Sequence, residues 1–246
     1  MRTANPALND TTFSRFDRAD ASRAMTIQGT VNKTILLLGI LLFPACWVWN
    51  QYFSGAQVGQ MQMWIAAGAI GGLIIAIVTV FKKQWAGVTA PIYAALEGLA
   101  IGGLSAIFES MFPGIVIQAA ALTFGVLFSL LLAYKSGFIK ATENFKLGVV
   151  AATGAVCLLY LASFILGFFG ISIPFIHDSG PIGIGVSAVI VIIAALNLVL
   201  DFDFIEQGAS QQAPKFMEWY AAFGLMVTLI WLYMEILRLL SKLRSR

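Results

Sequence analysis

Few acidic side chains fall inside the apolar runs of this chain, and their spacing sets the chemistry open to it. In AALNLVLDFDFIEQG, Asn197 and Asp201 stand one helical turn apart and share a face. Asp203, two residues on, projects to nearly the opposite side, and Asp203 and Glu206 are i, i+3 neighbours. Glu97, in YAALEGLAIGG, falls about ten residues into its run, ~15 Å along a helix axis. Glu218 opens the last run, and Glu235 lies toward its far end in WLYMEILRLL. A carboxylate at the centre of a bilayer costs at least ~2.5 kcal/mol on insertion scales, so each of these needs a partner, a proton or a hydrated cavity.

Each acid has a functional and a structural reading. Asp201 faces a polar cavity or pore, or marks a helix leaving the membrane; Asp203 divides between the same two. Glu97 faces a hydrated cavity or shares a proton, or is a neutral carboxyl held by a hydrogen bond. Glu218 complements the dipole of its own helix. In a hairpin centred near residue 211 it also stands level with residue 204, where it joins Asp201 and Asp203 in an acidic cluster with Lys82 and Lys83 as counter-ions. Glu235 and Arg238 form an i, i+3 ion pair, or Glu235 and Glu109 mark the outer end of a path. Such a ladder of carboxylates suits a cation or proton path gated by protonation, and oxygen ligands suit calcium, for which Asp201 is the expected ligand.

The elements that position these residues are membrane helices. Of 246 residues, 59% are hydrophobic and 11% charged, with a mean hydropathy of +0.87; a soluble domain carries about 25% charge. A span needs ~20 apolar residues to cross ~30 Å of hydrocarbon. Seven segments qualify, at roughly 34–53, 62–81, 88–110, 114–134, 147–169, 182–205 and 217–240. The fold class expected is therefore an all-α integral membrane protein, a bundle of seven transmembrane helices. It has a polar tail over 1–33, a membrane domain over 34–240 and a basic tail over 241–246.

Loop charge sets the orientation. Arg2, Arg15, Arg18, Arg23 and Lys33 precede helix one, and basic residues recur in alternate loops (Lys82 and Lys83; Lys135, Lys140 and Lys146; Lys215), which places the N-terminus in the cytoplasm. The basic C-terminus, with Arg238, Lys242, Arg244 and Arg246, sits awkwardly with seven full spans. Ala94, Gly98 and Gly102, and Gly68 with Gly72, form small-residue ladders for helix packing in lipid. Trp47, Trp49, Tyr134, Trp219 and Tyr220 read as interfacial anchors. No secretory signal is apparent in the polar first 30 residues.

Other chemistries find little support. Cys46 and Cys157 lie in apolar runs without metal or redox spacing. His177, the one histidine, sits beside Asp178 in a loop and reads as a loop residue before a pH sensor. There is no HExxH, GxSxG or phosphate loop, and no enzyme, resident cofactor or nucleic-acid partner is expected beyond transient calcium. The net charge of +3 is a topology bias rather than a nucleic-acid footprint.

LNLVLDFDFIEQG followed by EWYAAFGLMVTLIWLYMEILRLL, with MTIQGTVNKT at residues 25–34, resembles the bacterial branch of the transmembrane Bax inhibitor motif family. The resemblance implies seven helices with the last one central, and a pH-sensitive calcium leak controlled by aspartates on helices six and seven. It also implies a basic residue near the start of helix three that locks the closed state. Asp201 matches the helix-six aspartate, and Lys82 or Lys83 the basic residue. Matching by string makes Glu235 the helix-seven partner; matching by depth puts Met226 or Thr228 there and leaves no carboxylate, with Glu97 or Glu218 as substitutes.

The function expected is thus a pH-sensitive cation (calcium) leak channel or sensor of a bacterial inner membrane. The alternatives are a non-conducting regulator that binds a membrane protease or stress-response partner, and a proton-coupled transporter of a small solute. The glycines of SGPIGIG, residues 179–185, are the hint of a broken helix that a transporter would use.

Overall fold

A computed structural model describes residues 24–170 and 178–245. His177 and most of the polar tail lie outside them. Seven helices follow in order: α1 (Ile27–Phe53), α2 (Val58–Phe81), α3 (Ala86–Met111), α4 (Ile115–Lys135), α5 (Glu143–Phe168), α6 (Pro181–Ser210) and α7 (Met217–Arg244). A short 3-10 turn, Lys83–Trp85, leads into α3. All seven are long and apolar enough to cross a membrane, and the protein is an all-helical, multi-pass membrane protein.

The ends are set by local chemistry. Thr26 caps α1, its hydroxyl accepting from the Gly29 amide at 2.9 Å. Thr142 caps α5 in the same way through Phe145. Pro181 takes the first position of α6, where its missing N–H costs nothing. Gly114, at φ +79°, supplies the left-handed residue of the tight turn between α3 and α4.

Two boundaries differ from those expected. Helix α1 begins at Ile27 rather than near 34, so the stretch IQGTVNK is helix and not tail. Its polar groups are satisfied: Gln28 donates to Asn32 at 2.9 Å, Thr30 to the Thr26 carbonyl, and Lys33 meets a carboxylate described below. At the other end α7 runs on to Arg244. Gly183 and Gly185 sit inside unbroken α6, so they do not interrupt a span.

The described residues group into two compact units, each assembled from separate stretches of chain. One holds Gly114–Asp203 and residues 227–245; the other holds residues 24–113 and Phe204–Met226. The second unit is built on backbone contact. A Cβ on Gly102 of α3 would stand 2.5 Å from the Ala45 carbonyl oxygen of α1, and one on Gly68 of α2 would stand 2.5 Å from that of Leu96. Small residues there let helices close to backbone distance, as lipid-embedded packing requires. In both units the α7 portion is heavily buried, including Met217, Tyr220, Phe223, Met226, Leu232 and Leu237. By contrast, α5 is only 11% buried over its most apolar stretch. Tyr220, expected as an interfacial anchor, is instead fully buried, with its ring against Phe204 and Phe223.

Candidate functional site

In the first unit, helix α6 turns the face carrying Asn197 and Asp201 into the protein. Asp201 is 1% exposed, and neither carboxylate oxygen has a hydrogen-bond partner. The polar group beside it is the neutral Thr228 hydroxyl of α7. One turn back, the Asn197 amide donates to the Thr153 hydroxyl of α5 and to the Ile193 carbonyl, both at 2.8 Å. Both of its N–H groups are therefore engaged, and none is left for Asp201.

Asp203 and Glu235, the other acids that α6 and α7 bring to this unit, are compensated. Asp203, on the opposite side of α6 as its spacing predicts, meets Lys146 of α5 at 2.8 Å. That lysine side chain is only 3% exposed and also lies 3.5 Å from Glu143. Glu235, 2% exposed, accepts from the Tyr160 hydroxyl at 2.7 Å and from Trp231 at 3.3 Å. Arg238 reaches its two oxygens at 3.0 and 3.1 Å and lies over the Tyr160 ring. This is the ion pair that i, i+3 spacing allows, completed by a tyrosine from α5. Further along α7, Lys242 donates to Ser187 and to the Gly183 carbonyl of α6.

Which residue of α7 stands by Asp201 is answered by this packing. It is Thr228, seven residues and ~10 Å of helix before Glu235. Glu235, by contrast, lies in the Tyr160–Arg238 network.

In the second unit the focus is Glu218, fully buried in the first turn of α7. Its carboxylate accepts from the Thr26 amide and hydroxyl, each at 2.9 Å, and pairs with Lys33 and, at 3.0 Å, with Lys215. Gly29 makes room: a Cβ there would overlap the carboxylate. Lys33 also lies 5.4 Å from the centre of the Trp219 ring. Glu97 is half-buried and hydrogen-bonded to Tyr93 one turn earlier on α3, with its carboxyl against Gly72 of α2. Lys83 lies over the Tyr220 ring at 5.4 Å, and Lys82 ends α2, exposed.

The buried acids thus meet lysines that sequence reasoning treated only as topology markers, Lys33 and Lys146. Spacing along one helix cannot find them, because each comes from a distant one. Among the described residues, no three His, Cys, Asp or Glu side chains come together to hold a metal ion. Cys46 and Cys157 are free and exposed on the helix surfaces.

No curated protein and no solved structure matches the chain. The model of one family, described as Bax inhibitor 1 like, matches residues 5–245. That span takes in the Thr26–Gly29–Lys33 stretch, all seven helices, Asp201 with Thr228, and the Glu235 network, so the chain belongs to the Bax inhibitor 1 like family.

Proposed function

We propose that this protein is a pH-sensitive cation leak or sensor of the bacterial inner membrane, N-terminus in the cytoplasm, with calcium as the permeant ion and Asp201 as the gating residue. The observation that carries this reading is the Asp201 carboxylate itself, shut from water with the neutral Thr228 hydroxyl beside it and no basic partner among the described residues, while Asp203, Glu218 and Glu235 are each paired with a lysine or arginine. A bare buried charge costs several kcal/mol, and a group left in that condition is adapted to take up a cation or a proton. Glu97 is a secondary candidate, since it is half-buried where Asp201 is shut from water. Lys82 and Lys83, near the start of α3, keep the role of a basic latch.

Calcium-dye influx into liposomes holding the purified protein, followed from mildly acidic to mildly alkaline pH, tests this. Influx above empty liposomes that varies with pH and changes in Asp201→Asn supports it; no influx at any pH from folded protein overturns it.

A non-conducting regulator is the second reading, favoured by the surface of α5. Only 11% of its most apolar stretch is buried, and a helix left that open can take a partner helix as well as lipid.

A further inference from the structure

We infer that Asp201 and Thr228 form a site for one positive charge, a proton or a single alkali cation, rather than a calcium site. This rests on the proposed role of Asp201, and it concerns what binds there rather than what permeates.

The charges and oxygens on this face decide what it can hold. Asp201 contributes one negative charge and two oxygens that no amide or basic side chain among the described residues reaches. Its α7 neighbour Thr228 contributes a neutral hydroxyl. The Asn197 amide group on the same face is spent on Thr153 and Ile193. The remaining acids of the unit's α6 and α7 are neutralised elsewhere, Asp203 by Lys146 and Glu235 by Arg238. Calcium takes about 6–8 oxygen ligands, and its affinity rises with the number of charged ones. At this pair it would keep a net positive charge inside a region closed to water, which is costly. One proton or one alkali ion balances the site, and a threonine oxygen can complete the contact with either.

The test is equilibrium binding of radioactive calcium to the full chain in nanodiscs, with infrared difference spectra of the carboxyl groups recorded against pH and against sodium or potassium. The wild type should show a carboxyl band, absent in Asp201→Asn, that responds to pH if the charge is a proton, or to alkali ions if it is a metal ion. Wild type and Asp201→Asn should bind calcium equally. Thr228→Asp should gain calcium binding that Asp201→Asn removes, while Thr228→Asn, a similar size without the charge, should not. Calcium binding by the wild type that is lost in Asp201→Asn overturns the inference, as does an Asp201 band that responds to neither pH nor alkali ions. Folded Thr228→Asp without added calcium binding also counts against it. None of these readouts needs flux, so a protein that conducts nothing would end the leak reading without deciding this one.

Discussion

Glu218 and Thr26 lie 192 residues apart in the chain and are joined twice, the carboxylate accepting from both the amide and the hydroxyl of the threonine. With Lys33, Lys215 and the gap left by Gly29, this clasp ties the start of α1 to the start of α7. Met25 extends it, donating to the Ala213 carbonyl at 2.6 Å beside the Ala24–Pro214 bridge. A single carboxylate thus answers the Thr26 cap, the lysine and the glycine at the start of the helical stretch IQGTVNK.

Glu218→Ala should lower stability by about 2–3 kcal/mol, a discounted value because Lys33 is partly and Lys215 largely exposed. Thermal unfolding in detergent measures it. Lys33→Met combined with Glu218→Leu should cost less than the two single changes added, since no charge is left stranded.

Gly29→Ala should imitate the loss of Glu218, because the added methyl occupies the place of the carboxylate. Proteolysis before residue 27 should accelerate in this variant and stay unchanged in Gly39→Ala, where a Cβ meets nothing.

Glu235→Gln should cost about 1–3 kcal/mol through its hydrogen bonds to Tyr160 and Arg238, and it should leave the pH dependence of flux unaltered. Unfolding and flux measured on the same preparation separate the two effects.

Much of this arrangement is legible in the sequence, and the rest fails for definite reasons. Seven spans follow from hydropathy, and the opposite facing of Asp201 and Asp203 follows from helical period. The hairpin register that sets Glu218 level with residue 204 is close to the observed packing of Phe204 against Tyr220. What spacing along one helix does not show is long-range: Lys33, Lys146 and Tyr160 find their acids on other helices, and Thr228, which is uncharged, is reached only by comparing depths. Tyr220 lies in the core rather than at the interface, since an aromatic near a span end is equally at home in either.

Asp201→Asn should leave stability unchanged or raise it by about 1 kcal/mol, since the amide removes an uncompensated buried charge. A clear fall in the unfolding temperature would mean that the carboxylate has a structural partner.

The most direct measurement is cation flux in liposomes for Asp201→Asn, Asp203→Asn and Glu235→Gln alongside the wild type, each across the neutral pH range. The account predicts that Asp201→Asn alone abolishes the pH dependence, the other two keeping it because their carboxylates serve packing. Loss of that dependence in Asp203→Asn or Glu235→Gln, with Asp201→Asn behaving as wild type, would contradict it.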